Sequence, residues 1–248
     1  MQENEVVEAF TELAPRYERV VDNELQKFWG WSYQGFIQFL IEHTPIYDGE
    51  LLLDIATGTG VIPRAVMQTN PNCKIIGIDI TQAMLSHGKQ KMGNGFFGKK
   101  VFLNTGDAMH MPYSSFSFDL VLCGLATHHM QVDQLTSEIY RILKDGGRFS
   151  LGDVGGSKLW RKPIINFFIK ILAYLYFLFT ENKDRARAEA SAVSNVYTAE
   201  DWKKILSDGG FTEIEITLLK SKKFWVPDPL LIQAIKIQEP KEKVNDDY

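Results

Sequence analysis

The chain has 248 residues, of which 45% are hydrophobic and 23% charged, and its net charge is −4. These values are ordinary for a soluble globular protein and suit one α/β domain with a substantial core. The negative charge gives no electrostatic case for nucleic acid binding. Cys73 and Cys123 lack metal-site spacing, and the acidic first residues are unlike a signal peptide. We therefore expect a cytoplasmic protein with reduced thiols and no metal ion.

Residues 1–45 are predicted to form a helical N-terminal cap. Apolar side chains recur at helical spacing from Val6 to Leu13, and Ser32 is placed to cap a helix that ends before Pro45. This segment is rich in aromatic residues. It is expected to pack on the core, and part of it could cover a binding site.

Residues 46–156 alternate between predicted strands and predicted helices. The strands are predicted at 51–55, 74–79, 101–104, 118–123 and 148–153, and helices at 60–69, 82–91 and 131–143. This alternation predicts a mainly parallel sheet with helices on both faces. Ligands of such sheets bind beyond the carboxyl ends of the strands, where five residues of interest fall. These residues are Asp54, Asp79, Asp107, Gly124 and Asp153.

Residues 157–197 interrupt the alternation with an apolar stretch from Ile164 to Phe179, in which Lys170 is the only charge. Its 16 residues are fewer than the roughly 20 that a membrane-spanning helix needs. A helix that is apolar all round must face something apolar. Three roles stay open: a lid over a lipophilic substrate, a homodimer contact, or a peripheral membrane contact. The charged residues 181–189 are expected to form a solvent-exposed helical turn.

Residues 198–238 return to the α/β pattern. Thr198 is predicted to cap a helix over 199–207, with acidic residues in its first turn. A strand is predicted at 212–219, followed by an antiparallel strand built from 224–226 and 230–237. The charged tail, 239–248, is expected to be disordered.

The turn after the first strand indicates a nucleoside site. Gly58 and Gly60 permit a left-handed backbone and close approach of a ligand, and Asp79 ends the next strand, where an acid can bind ribose hydroxyls. Pro63 stands where a dinucleotide fingerprint has its third glycine, and Asp54 beside the turn would repel a pyrophosphate. A cationic nucleoside without phosphate, such as S-adenosylmethionine, fits these residues better.

Four segments in order, LLLDIATGTG, GIDITQAML, GDAMHMPYSSFSFDLV and EIYRILKDGGRFSL, carry a family resemblance. They resemble class I S-adenosylmethionine-dependent methyltransferases, and most of all the ubiquinone/menaquinone-biosynthesis C-methyltransferase type. The resemblance covers about Leu51 to Gly156. It implies a Rossmann-like α/β fold: a mainly parallel seven-stranded sheet with an antiparallel last strand, a helical N-terminal extension and a helical lid insertion. Ala56 occupies the first glycine position of the family motif.

The resemblance also implies a set of residues that bind S-adenosylmethionine. It places Asp107 on the adenine amino group, with backbone contacts from Ala108 and Met109, and it places Tyr17 over the sulfonium end. The complete set is Tyr17, Asp54, Ala56, Gly58, Gly60, Asp79, Ile80, Met84, Asp107, Ala108, Met109 and Gly124.

His128 and His129 are the candidate catalytic residues, because they follow the fourth strand where relatives place substrate-facing side chains. A histidine with a pKa near neutrality can take a proton from a phenol or an enol. The sequence does not choose between them, and both could merely shape the pocket. Quinone methyltransferases have a Leu-Arg-Asn run here, so this departure weakens the case for a quinone acceptor.

We expect a methyltransferase that acts on a small lipophilic acceptor such as a quinol, polyketide, terpenoid or lipid. Methylation at carbon is favoured by the resemblance, with oxygen and nitrogen left open. Three alternatives remain: an enzyme of the same fold that catalyses cyclisation or rearrangement, a nicotinamide-dependent oxidoreductase, and a membrane-associated binding protein without catalysis. Pro63 and Asp54 argue against the oxidoreductase.

Overall fold

A single sheet organises residues 3–96 and 98–237, the part of the chain that the computed structural model describes. Within these residues the sheet has seven strands. They are β1 (Leu51–Ile55), β2 (Lys74–Asp79), β3 (Val101–Thr105), β4 (Phe118–Gly124), β5 (Leu143–Asp153), β6 (Phe211–Leu218) and β7 (Leu230–Lys236).

The strands lie in the order β3-β2-β1-β4-β5-β7-β6. Neighbouring strands run parallel from β3 to β5, whereas β7 is antiparallel to both β5 and β6. The predicted mainly parallel sheet with an antiparallel last strand is therefore confirmed. The chain moves outward from β1 to β2 and β3, and then returns to the other side of β1 with β4. Such a reversal opens a crevice at the carboxyl ends of the strands.

The helices cover both faces of the sheet, as the alternation predicted. They are α1 (Glu3–Leu13), α2 (Tyr17–Phe28), α3 (Tyr33–His43), α4 (Val61–Thr69), α5 (Gln82–Phe96), α6 (Val132–Ile142), α7 (Pro163–Thr180), α8 (Lys183–Ala192) and α9 (Ala199–Asp208). Phe36, Ile37 and Val66 belong to a buried cluster on one face, and Leu135 and Trp202 to a cluster on the other. These two apolar layers hold the strand ends in place, because burial of large side chains is the main favourable term in folding.

Three local predictions need correction. Residues 224–226 are not a strand, and β7 begins only at Leu230. The strand β5 begins at Leu143 and contains the Gly146–Gly147 pair, which was predicted to be a turn before the strand. Arg185 is buried within α8, so residues 181–189 are not the solvent-exposed turn that their charges suggested. The predicted disordered tail, 239–248, lies outside the described residues.

The apolar stretch forms α7, which has no buried residue along its 18 positions. Among the described residues, α7 is long and apolar enough to cross a membrane, judged by length and composition alone. The chain then turns at Asn182, whose side chain caps α8 by accepting a hydrogen bond from the Arg185 backbone N–H. The following helix α8 returns to the carboxyl-end crevice of the sheet.

Thr198 caps α9 as predicted, and the cap gives a test of the fold. The Thr198 hydroxyl accepts from the Asp201 N–H at 3.2 Å, and the Asp201 carboxylate accepts from the Thr198 N–H at 2.9 Å. We expect Thr198→Ala to lower the free energy of unfolding by about 1 kcal/mol, measured by urea denaturation. The control Ser207→Ala, at an exposed position of the same helix, should leave it nearly unchanged. Equal stability of both variants would contradict the cap.

Candidate active site

A cavity of about 260 Å³ opens at the carboxyl ends of the parallel strands. The segments that follow β1, β2, β3 and β4 each contribute to its wall, and α1 and α2 of the N-terminal cap cover it. Nine of the twelve residues predicted to bind the cofactor line this cavity. They are Tyr17, Ala56, Gly58, Asp79, Ile80, Met84, Asp107, Ala108 and Met109.

The other three predicted cofactor residues lie behind the wall. Asp54 is 1% exposed, and Gly60 begins α4 in a left-handed conformation with φ of 74°. Gly124 serves close packing, because a Cβ there would come within 3.0 Å of the Ile37 and Ile62 Cδ1 atoms. The residue after Gly124, Leu125, lines the cavity in its place.

The backbone at the cavity adopts conformations that few side chains tolerate. Gly58 has φ of 54°, and the non-glycine residues Ala56 and Leu125 have φ of 52° and 55°. A left-handed backbone at ordinary residues is uncommon and is concentrated at functional sites. Ala56 follows β1 and Leu125 follows β4, so the two strained positions flank the crevice from its opposite sides.

Asp79 fixes the turn that bears Gly58. Its carboxylate accepts hydrogen bonds from the Gly58 and Thr81 backbone N–H groups, each at 2.8 Å. Burial raises the pKa of Asp79 above its ordinary value, and these two N–H donors oppose the rise. A carboxylate has about four acceptor positions, so oxygen lone pairs remain for a ligand in the cavity.

Asp54 is a buried acid without a partner. Neither of its carboxylate oxygens makes a hydrogen bond among the described residues, and burial raises its pKa to about 8. A buried carboxylate gains most from a nearby positive charge. This orphaned acid behind the first turn therefore favours a ligand that carries a cationic group, and S-adenosylmethionine carries both an α-amino group and a sulfonium.

Asp107 lies at the end of the cavity formed after β3. Its carboxylate accepts from the Met109 N–H at 2.9 Å and pairs with His110 Nδ1 at 2.8 Å. Ile80, Ala108 and Met109 also line this cavity. Apolar residues together with a carboxylate suit a purine ring with an amino group.

Two aromatic residues of the N-terminal cap close the cavity on the other side. Tyr17 lines the wall near Gly58, where a Cβ would lie 4.0 Å from Tyr17 Cε1. Phe10 packs edge-on against His129, with ring centroids 5.2 Å apart. Burial raises the pKa of Tyr17 to about 12, so its hydroxyl stays protonated and can donate a hydrogen bond.

His128 and His129 follow β4 in a single turn, Thr127–His129, but their surroundings differ. His128 Nδ1 pairs with Asp153 Oδ1 at 2.8 Å, and the Thr127 N–H donates to Asp153 Oδ2 at 2.8 Å. Burial by itself lowers the pKa of His128, but the Asp153 carboxylate outweighs it and raises the pKa above its ordinary value. His128 does not belong to the cavity wall described here.

His129 faces the cavity. Burial and the neighbouring His128 hold the pKa of His129 below its ordinary value. Its Nε2 pairs with Glu189 Oε1 at 3.4 Å, whereas its Nδ1 makes no hydrogen bond within the described residues. A buried imidazole with a lowered pKa is neutral near pH 7 and has a lone pair that can accept a proton.

Residues from α8 and α2 complete this end of the site, and the sequence did not indicate them. Arg185 Nη2 pairs with Glu189 Oε1 at 2.9 Å and with Glu24 Oε2 at 3.5 Å. Burial raises the pKa of Glu24 to about 7, whereas Arg185 holds the pKa of Glu189 well below its usual range despite burial. In the sequence, the small residues Ala186 and Ala188 between these charged residues could have indicated that this helix packs against the rest of the protein, and both are buried.

His128, His129 and Glu189 also bring their potential ligand atoms within 4.8 Å of one another, a spacing that a metal ion could use. The Arg185 guanidinium already forms an ion pair with the Glu189 carboxylate at 2.9 Å, and its positive charge would repel a metal ion bound there. The ion pair accounts for Glu189, so we interpret the cluster as a polar network beside the cavity.

The comparisons with known proteins agree with this geometry. Residues 53–151 match a family model described as a methyltransferase domain. The chain is 29% identical over 223 residues to a demethylmenaquinone methyltransferase of Lactobacillus johnsonii, with 88% of each chain covered. It is 26% identical over 218 residues to the ubiquinone/menaquinone biosynthesis C-methyltransferase UbiE of Geotalea uraniireducens, covering 85% of this chain and 89% of that one.

A solved structure shares the fold at low identity. It is the geranyl diphosphate C-methyltransferase of Streptomyces coelicolor, solved with Mg²⁺, geranyl diphosphate and S-adenosyl-L-homocysteine. Its TM-score is 0.65 at 15% identity, with 89% of this chain and 83% of that chain covered. The sequence motifs, the sheet order and these relatives lead to one conclusion: the chain is an S-adenosylmethionine-dependent methyltransferase with a methyltransferase domain over residues 53–151, and it is similar to the ubiquinone/menaquinone-biosynthesis type.

Proposed function

We propose that this methyltransferase acts on a small lipophilic acceptor with an ionisable hydroxyl or enol group, and that His129 takes its proton. The observation that carries the proposal is the position of His129: it lines the cavity that Asp79 and Asp107 also line, and its Nε2 lies 3.4 Å from Glu189 Oε1. Base and cofactor residues thus share one cavity. The proposal includes a cytoplasmic location, where the buried thiols of Cys73 and Cys123 would stay reduced.

The cofactor residues take the roles that the family resemblance implies, and those that line the cavity are placed to fill them. Asp79 binds the ribose hydroxyls, Asp107 the adenine amino group, and Gly58 lets the backbone approach the methionine part. Asp54, behind the turn, is mostly protonated near pH 7 because its pKa is about 8, and a nearby cationic end of the ligand would favour its ionised form. When bound, S-adenosylmethionine supplies an activated methyl group together with its own leaving group.

The acceptor would lie between the cap and the end of β4. Val6, Phe10, Leu125 and Met130 make this part of the wall apolar, while His129 provides a proton acceptor. An apolar pocket with few polar groups selects lipophilic ligands and orients them by the polar contact. Relatives named for demethylmenaquinone make a demethylated quinol the first compound to test.

The chain's contribution to the reaction is mainly positioning and exclusion of water. His129 would accept the acceptor's hydroxyl proton, which increases electron density on the oxygen and on the nucleophilic carbon: the ring carbon ortho to the hydroxyl in a phenol, or the far carbon of the double bond in an enol. The cap residues Phe10 and Tyr17 shield this end from solvent. His128 acts as a positioning residue, because its bond to Asp153 fixes the turn that carries His129.

Cyclisation or rearrangement without net transfer is the second candidate, because the same residues would orient its substrate. The mass of the product separates the two. A gain of one methyl group supports transfer, and an isomer of unchanged mass supports rearrangement.

The first prediction concerns Asp79. Asp79→Asn should weaken S-adenosylmethionine binding by about tenfold to a hundredfold in calorimetric titration, since a hydrogen bond to a charged group contributes about 1.5–3 kcal/mol. The matched control is Asp119→Asn. Asp119 also accepts from a backbone N–H, that of Leu51 at 2.9 Å, but it lies at the opposite end of the sheet. Equal losses in both variants would contradict the assignment of Asp79.

A second prediction concerns the cap. Tyr17→Phe keeps the ring and should keep most cofactor affinity, whereas Tyr17→Leu should weaken binding of S-adenosylmethionine by several fold because the aromatic cover is lost. Thermal melting of both variants without ligand separates this effect from loss of core packing at a residue that is 9% exposed. Unchanged affinity and turnover in a folded Tyr17→Leu variant would exclude a cap role.

A third prediction concerns the base. With demethylmenaquinol as acceptor, His129→Gln should slow methyl transfer by about 10²–10⁴-fold, and His128→Gln should have a smaller effect. Because the pKa of His129 lies below its ordinary value of 6.5, the rate should fall only as pH drops below that value. Glu189 raises the pKa of His129, so in Glu189→Gln the acid limb of the pH–rate profile, where the rate falls, should move to still lower pH. An unchanged limb in His129→Gln would show that another group titrates.

A further inference from the structure

The outer face of α7 is a continuous apolar stripe. Eight large side chains on it are between 37% and 83% exposed. They are Ile164, Phe167, Phe168, Ile171, Leu172, Leu175, Leu178 and Phe179. Their spacing follows one side of a helix over about 22 Å. Surface helices normally bury their apolar face and expose the polar one, so α7, with its apolar face outward, requires a partner.

The stripe continues onto a neighbouring loop. Phe224 and Trp225 are 95% and 59% exposed, and Lys223 Nζ lies 5.6 Å from the Trp225 ring and 5.5 Å from the Phe28 ring. Phe28 packs against Tyr176 of α7 with ring centroids 5.5 Å apart. The helix and the loop therefore present one surface, which we call the α7 surface: α7 together with residues 220–226.

The two segments that contain the α7 surface, residues 154–180 and 219–226, are basic although the chain is acidic. Residues 154–180 contain four basic residues and no acid, and residues 219–226 contain three lysines and no acid, in a chain of net charge −4. Lys158 and Arg161 are paired with Glu200 and Asp201 of α9. The remaining basic residues of these two segments are Lys162, Lys170, Lys220, Lys222 and Lys223.

We propose that the α7 surface docks onto an anionic lipid bilayer, with α7 lying in the plane of the interface and Trp225 beside it. Helices that bind this way present apolar and aromatic residues to the acyl chains and basic residues to the headgroups. A second copy of the chain fits less well, because a two-fold contact through this face would bring the lysines of residues 220–226 and Lys170 of both copies to one interface. A spanning orientation would remove α7 from its contacts with Lys27, Phe28 and Arg185.

The docking surface adjoins the acceptor end of the cavity. Phe177 of α7 lies 5.5 Å from the Arg185 guanidinium, and Arg185 pairs with Glu189 beside His129. Only Glu181 and Asn182 separate α7 from α8. If the acceptor is lipophilic, which rests on the proposed function, it would reach the cavity from the bilayer along this edge.

Flotation with lipid vesicles tests the docking. The full chain should float with vesicles of phosphatidylcholine and phosphatidylglycerol, bind vesicles of phosphatidylcholine alone several fold more weakly, and lose part of the difference at high salt. Leu172→Glu should weaken binding to the mixed vesicles by at least about tenfold, because it places a charge among the acyl chains. Lys223→Glu should weaken binding to anionic vesicles more than to neutral ones.

Phe102→Glu is the matched control. Phe102 is 40% exposed on β3, the edge strand at the other end of the sheet from β6, and this variant adds the same charge. It should bind vesicles as the wild type does. Light scattering of wild type and Leu172→Glu detects the competing arrangement: a dimer that Leu172→Glu dissociates, without vesicle binding by the wild type, would overturn the proposal in favour of a contact between two copies.

Absence of vesicle binding in a monomeric wild type would also overturn the proposal. Binding of S-adenosylmethionine by Leu172→Glu, measured calorimetrically, should equal that of the wild type. This readout keeps the two proposals apart, because failure of membrane docking leaves it unchanged and failure of the cofactor assignment does not.

Discussion

The Asp79 carboxylate is the interaction on which the geometry of the site depends. The carboxylate accepts hydrogen bonds from the Gly58 and Thr81 backbone N–H groups. The backbone carbonyl oxygen of Asp79 accepts a hydrogen bond from the Gly106 N–H at 3.0 Å. One residue thereby joins the segments that follow β1, β2 and β3. Because each backbone donor is buried, losing the carboxylate would leave unsatisfied N–H groups as well as an altered turn. The same side chain that would bind the cofactor ribose therefore also shapes its pocket.

Asp153 has a comparable position on the other side of the crevice. It binds the Thr127 N–H and His128, and so it fixes the turn that carries His129. The two acids differ in their surroundings. Asp79 lies at the cavity wall, whereas Asp153 is 1% exposed and faces a histidine. This difference explains why one acid suits direct binding of a ligand and the other suits positioning of the proposed base.

The acceptor end is assembled from parts of the chain that are far apart in sequence. Phe10, Glu24 and Glu189 come from α1, α2 and α8, and they meet around Arg185 and His129. The helix that continues from this network is α7, whose outer face is apolar. The environment of His129, the proposed acceptor site and the proposed membrane contact thus belong to one connected region, which is separate from the residues proposed to bind the cofactor.

The sequence by itself determined the α/β class, the mainly parallel sheet, the antiparallel last strand and the positions of Asp54, Asp79 and Asp107 at strand ends. These features follow from local patterns: apolar runs, glycine turns and capping residues act over a few neighbouring positions. The cap at Thr198 was readable for the same reason, since its partner Asp201 is three residues away.

Tertiary structure decided which candidates share the cavity. His129 lines the cavity and His128 does not. Gly124 packs against Ile37 and Ile62 rather than lining the cavity. Arg185 is buried, although the charged residues around it in the sequence predicted solvent exposure. Tertiary structure also determined that α7 turns its apolar stripe outward. A hydropathy pattern shows that a helix is apolar, but the direction it faces depends on the elements that it packs against, which no local pattern contains.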